Sequence, residues 1–141
     1  MVAKQLSVFI ENRQGRLGEV LKVLKDNEVN ILSLSLADTT EYGLLRLLVD
    51  KPELGKEKLS ENGFATMLTN VLVVKISHKA GSLQTLLEVL ANNDINVEYM
   101  YGLSTEGMDA KVVLKSSDTA KAHEILTSQG VKTLTTDELT K

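Results

Sequence analysis

The chain has no cysteine and no tryptophan, a single proline and two histidines among its 141 residues. Without a thiol, disulfides, a thiolate nucleophile and cysteine-ligated zinc are excluded together, and nothing points to an oxidising compartment. Aromatic residues amount to 4%, too few for the stacking surfaces that read single-stranded nucleic acid. Neither sign of charge dominates: the formal net charge of −3 weighs against a protein built to hold a phosphate backbone. No uncharged apolar run approaches the length of a membrane span. The first residues, Met1-Val2-Ala3-Lys4-Gln5, lead straight into an alternating strand and lack the apolar stretch and cleavage site of a signal peptide, so a cytoplasmic protein is expected. What is present suits a packed globular chain, with 43% hydrophobic and 25% charged residues.

The chain repeats itself. Displaced by 66 positions, Gly81 falls on Gly15, Leu72, Val74 and Ile76 fall on Leu6, Val8 and Ile10, and Leu83, Leu87, Val89 and Leu90 fall on Leu17, Leu21, Val23 and Leu24. Asp94-Ile95-Asn96-Val97 then lies over Glu28-Val29-Asn30-Ile31, and a one-residue adjustment brings Gln129-Gly130-Val131 onto Asn62-Gly63-Phe64. A repeat of this length is a supersecondary unit used twice. It divides the chain into residues 1–69 and 70–141. Units so small bury little surface alone, so they are expected to share a core, a sheet or an oligomer interface.

Inside one unit the apolar period changes in a fixed order. Leu6, Val8 and Ile10 recur at every second position, as on a half-buried strand. After Gly15 the spacing becomes three and four through Leu17, Val20, Leu21 and Leu24, the signature of an amphipathic helix, and Asn27 terminates it. A strand from Ile31 to about Leu36, a turn at Asp38-Thr39-Thr40 and a strand from Tyr42 to Val49 follow. Pro52 opens a second helix that Asn62-Gly63 stops, and Phe64 to Leu68 forms the last strand. Unit two repeats the order, with Ser116-Ser117-Asp118 at the start of its second helix. The stretch from Phe64 to Ile76 holds no proline or glycine and joins the units almost directly. The pattern predicts an α+β chain of two ferredoxin-like βαββαβ units with antiparallel sheets. That fold serves many functions, so function must come from sites.

Two places in each unit invite chemistry. Asn12-Arg13-Gln14-Gly15-Arg16-Leu17 and His78-Lys79-Ala80-Gly81-Ser82-Leu83 each bridge a first strand to a helix N-terminus, where unpaired backbone N–H groups and the positive end of the helix dipole can receive a carboxylate. Glycine there lets a ligand approach the backbone, although for a single occurrence the turn alone accounts for it. Asn30 and Asn96 stand where each second strand begins. An amide carries donors and an acceptor that can meet an amino acid's ammonium and carboxylate together, while spacing alone favours a turn role. Elsewhere no acid/base pair or metal pattern recurs: Glu11, Glu19, Asp26 and Glu28 read as solvated surface, and His123 as a surface residue. Tyr99 and Tyr101 share one strand face and read as cross-strand packing.

Strand, Asn-Arg-x-Gly-x-Leu, helix, then Val29-Asn30-Ile31 at the second strand closely resembles the ACT domain, a regulatory module that binds small molecules, most often amino acids. The resemblance covers both repeats and is to the stand-alone tandem ACT proteins. It implies effector sites at interfaces between ACT units, the loop after the first strand coming from one and the strand-start asparagine from its neighbour. Carried over by position, Asn12, Arg13, Gly15, Leu17 and Asn30 match the family's loop and strand-start positions in unit one, and His78, Gly81, Leu83 and Asn96 occupy the same places in unit two. Gln14 and Ala80 replace the family's usual proline, so both loops are expected to be less rigid. His78 replaces the expected asparagine, so the two sites are expected to differ.

The expected protein is therefore an amino-acid sensor without catalytic residues, metal or cofactor, assembled as a homodimer or higher oligomer and coupled to a partner enzyme or to its own assembly. One alternative is an acylphosphatase-like hydrolase, which also uses a ferredoxin-like fold, a glycine loop and an arginine; Ser82 in place of Arg16 speaks against it. The other is a structural or RNA-binding module, from which the central-strand aromatics are missing.

Overall fold

The computed structural model describes residues 2–11, 13–38, 42–77, 79–106 and 109–140. They gather into two compact units, Lys4–Thr69 and Asn70–Lys141, the latter taking in Met1–Ala3.

In the first unit, β1 (Ala3–Glu11) is followed by α1 (Arg16–Asp26), β2 (Ile31–Asp38), β3 (Tyr42–Val49) and α2 (Pro52–Glu61), and the opening part of β4 (Ala65–Ser77) completes it. β3 pairs antiparallel with both β1 and β2: Leu47 lies opposite Leu6 and Leu34, and Leu45 opposite Val8 and Leu36. Directly paired residues share a sheet face. On that face Leu6, Val8, Leu45 and Leu47 meet Val20 and Leu24 of α1 and Leu59 of α2, all buried. Each such side chain contributes about 1.5–3 kcal/mol by leaving water.

The second unit runs from the rest of β4 through α3 (Ser82–Asn92), β5 (Val97–Glu106), β6 (Asp109–Ser116), α4 (Thr119–Ser128) and β7 (Lys132–Leu134) to α5 (Thr136–Leu139). β4 sits between β6 and β7, and β5 lies outside β6, every pair antiparallel. Leu72, Val74 and Leu114 of this sheet bury against Leu86 and Leu90 of α3 and Ala122 and Leu126 of α4. Both helices thus cover one face, as the βαββαβ pattern predicts.

The helix ends repeat as faithfully as the cores. The N–H of Val29 donates to the Leu24 carbonyl at 2.9 Å and that of Ile95 to the Leu90 carbonyl at 3.0 Å, the wide bond of a Schellman turn. The residue that must turn left-handed there is not glycine: Glu28 has φ 57° and Asp94 φ 60°. α2 and α4 close in the same way, with Gly63 (φ 86°) and Gly130 (φ 80°) at the turn. Asn27 and Asn93 each donate a side-chain N–H to the carbonyl four residues back, at 2.8 Å.

Several boundaries differ from the sequence expectation. The last strand of unit one starts at Ala65 and continues unbroken to Ser77, while Phe64 closes the Schellman turn of α2 and is only 5% exposed. β2 extends to Asp38, and the expected turn residues Thr39 and Thr40 lie outside the described residues. Ser116 ends β6 and is buried; the cap of α4 is Asp118 alone, whose carboxylate accepts from the Lys121 N–H at 3.0 Å. α5 was not expected: its signal is the Thr135–Glu138 capping box, two reciprocal bonds at three-residue spacing.

Candidate functional site

Both strand-to-helix loops fold alike. Gly15 (φ 88°, ψ −16°) and Gly81 (φ 88°, ψ −14°) cap α1 and α3 in the left-handed region, where a side chain is disfavoured. A Cβ at either position would meet nothing within 4 Å. The glycines therefore serve backbone conformation, and the space above them is open. The same ladder of bonds shapes each turn: Arg13 N–H to the Glu11 carbonyl (2.8 Å) and Glu19 N–H to that of Gly15 (3.1 Å), matched by Lys79 to Ser77 (3.0 Å) and Thr85 to Gly81 (3.0 Å). No described side chain caps either helix, so the dipole's positive end faces outward on an exposed loop.

The loop side chains diverge. Arg13 is exposed and pairs with Glu11 at 3.1 Å. Arg16 folds over the ring of Phe64, 4.3 Å from guanidinium carbon to centroid, and pairs with Glu19. Its Nε is buried and has no partner among the described residues. Leu17 packs on the first core, whereas its counterpart Leu83 is 38% exposed. Gln14, Lys79 and Ala80 are exposed and Ser82 half-buried. Asn12 and His78 lie outside the described residues.

At the other place, Asn30 and Asn96 are exposed and held through their backbones. The Asn30 N–H donates to Asp50 Oδ1 at 2.8 Å, and the Asp50 N–H donates back to the Asn30 carbonyl at 3.1 Å. Asn96 and Ser117 repeat the exchange, at 3.1 Å to the hydroxyl and 2.8 Å in return. Neither asparagine amide is bonded to another described residue. Asp50 was missed in the sequence and Ser117 was read as part of a helix start; the trace they leave is that both follow a third strand at matching repeat positions.

Loop and asparagine are not brought together within a unit. They flank opposite ends of an eleven-residue helix, about 16 Å long at 1.5 Å per residue. An α-amino acid cannot touch both. Among the described residues no group of three or more His, Asp or Glu is placed to hold a metal ion, and no helix is long and apolar enough to cross a membrane.

A duplicated ferredoxin-like unit with a glycine-capped strand-to-helix loop in each copy is the architecture of a pair of regulatory domains. The family described as the ACT domain pair matches residues 1–141, and the chain belongs to that family. It is 35% identical to protein BT0572 from Bacteroides thetaiotaomicron, whose crystal structure matches 100% of this chain and 97% of that one with a TM-score of 0.94. The fold also matches the regulatory subunit of aspartate kinase from Thermus thermophilus in its ligand-free form, at 15% identity, 90% and 93% coverage and a TM-score of 0.64. The corresponding subunit from Thermus flavus gives 12%, 91% and 93%, and 0.60. No curated protein matches the chain.

Proposed function

We propose that the chain is an amino-acid-binding regulatory protein, without catalysis of its own, whose effector sites are completed where one ACT unit meets another in a homodimer or higher oligomer. The observation that carries this reading is the separation of the two half-sites. Each unit offers, among the described residues, a helix N-terminus with no side-chain cap behind an open glycine at one end of a helix, and an asparagine amide without a partner at the other. The first suits a carboxylate and the second an ammonium and carboxylate together. Since one unit cannot close both on a small ligand, a neighbouring unit supplies the missing half.

In this reading unit one contributes Asn12, Arg13, Gly15, Leu17 and Asn30 and unit two His78, Gly81, Leu83 and Asn96, each site taking its loop from one unit and its asparagine from a neighbour. Occupancy favours one arrangement of units over another and passes to a partner enzyme in the cytoplasm. Such coupling requires a differential affinity, of about 1–3 kcal/mol. The family membership and the regulatory subunits with the same fold support this reading over hydrolysis. Arg16 also speaks against an acylphosphatase role, since its guanidinium is engaged on Phe64 and by Glu19. Thermal unfolding of the full chain with each common amino acid tests the proposal: a true effector raises the midpoint with its concentration. Turnover of an acyl phosphate that disappears in Arg16→Ala would replace it with the hydrolase.

A further inference from the structure

Unit two contains a cleft of about 360 Å³. Ile76, Leu86, Val89 and Val131 supply its apolar lining, and Lys75, Ser77, Ser82, Thr85 and Gln129 its polar lining. It lies between the end of β4, the first turns of α3 and the turn before β7, wholly inside the unit, and it does not include Asn96. In the repeat alignment, Ser82, Thr85 and Val131 correspond to Arg16, Glu19 and Phe64 of unit one. Those three form the stack described above: the Arg16 guanidinium lies on the Phe64 ring and is held by Glu19. Unit one therefore fills with its own side chains the place that unit two leaves open. All three members of the plug are exchanged as a set, arginine for a hydroxymethyl, carboxylate for a hydroxyl and ring for an isopropyl group.

We propose that this cleft, which shares Ser82 with the strand-to-helix loop described above, binds a short branched aliphatic carboxylate within unit two. The four aliphatic side chains of the lining reward an apolar branched end in proportion to the area it covers. Lys75 is the one charged residue among the described residues that line the cleft. Its ammonium is already 3.3 Å from the Asp109 carboxylate, so the mouth is close to neutral and suits a monoanion or zwitterion better than a polyanion such as phosphate. The Ser82 hydroxyl of the lining can donate to the carboxylate. An amino acid and its 2-oxo acid share this chemistry. The inference extends the effector reading to a place that needs no second unit, and rests on that reading only for the ligand's acidic end.

The test is titration of the full chain with L-leucine, L-valine and 4-methyl-2-oxopentanoate, followed by calorimetry and by methyl NMR of Val131, Val89 and Ile76. Saturable shifts of these methyls with one equivalent bound are expected, and the preferred probe tells amino acid from oxo acid. Val131→Phe should weaken binding by about tenfold or more, since a ring there takes up the ligand's space. Arg16→Ser, alone and with Phe64→Val, should add a second equivalent, with circular dichroism confirming a folded chain. Absence of binding by all three probes, or binding that leaves the three methyls unmoved and survives Val131→Phe, overturns the proposal. In the latter case sensitivity to Asn96→Ala would keep the interface reading intact, so the two can fail separately.

Discussion

Asn30 and Asp50 exchange two hydrogen bonds, the Asp50 carboxylate accepting from the Asn30 N–H at 2.8 Å and the Asn30 carbonyl accepting from the Asp50 N–H at 3.1 Å. The exchange fixes the backbone where β2 begins, and the asparagine amide is bonded to no other described residue. Asp50→Ala should lower stability by about 0.5–1.5 kcal/mol and weaken any ligand held by Asn30, because the amide loses its fixed origin. Ser117→Ala should do the same to Asn96. Urea unfolding together with calorimetry measures both; a stability loss with no change in affinity would detach these asparagines from binding.

Glu28 and Asp94 adopt the left-handed conformation at the ends of α1 and α3, where an L side chain costs roughly 1–2 kcal/mol. Glycine avoids that cost but gives the unfolded chain more freedom. Glu28→Gly and Asp94→Gly should therefore each stabilise by a net of about 0.5–1 kcal/mol. Chemical denaturation decides, and destabilisation by either change would mean that the acidic side chain makes a contact outweighing the strain.

Gly15→Ala and Gly81→Ala should each cost roughly 1–2 kcal/mol from the positive φ alone, since the added methyl meets nothing within 4 Å. Equal losses in the two variants are expected because the two turns have nearly the same angles. A much larger loss at one position would reveal a packing role there.

Much of this organisation is legible in the residues. The change of apolar period after Gly15 and Gly81 marks each strand-to-helix turn, and Asn27 and Asn93 announce helix ends with the same side-chain bond. Less legible is what depends on distant parts of the chain meeting. Arg16 and Phe64 read separately as a loop cation and a strand residue, and only the folded unit stacks them. Asp50 carries no signal of its own and Ser117 reads as part of a helix start until strand pairing sets them beside Asn30 and Asn96. The four-residue α5 escapes a periodicity reading because it is too short to show a period.

Lys4 donates to Glu53 at 2.8 Å and holds its carboxyl below the ordinary value of 4.5. A lowered folded value means stability that is present above about pH 4.5 and is lost as pH falls through the folded value. The pair is exposed, with side chains 48% and 64% accessible, so Glu53→Gln should cost no more than about 0.2–1 kcal/mol at neutral pH, and less in high salt. Stability curves of the two proteins should converge in acid; divergence there would contradict the assignment.

The most direct measurement of effector binding is calorimetric titration of the full chain with each common amino acid, repeated on Asn30→Ala and Asn96→Ala. At least one amino acid should bind saturably. Each variant should remain folded, and loss of a hydrogen bond to a charged ligand group should weaken binding by about 1.5–3 kcal/mol, roughly ten- to a hundredfold. The two losses should differ, because unit two carries His78 and Lys79 where unit one carries Asn12 and Arg13. No heat with any amino acid, or a ligand whose affinity neither substitution changes, would contradict a site built from these loops and asparagines.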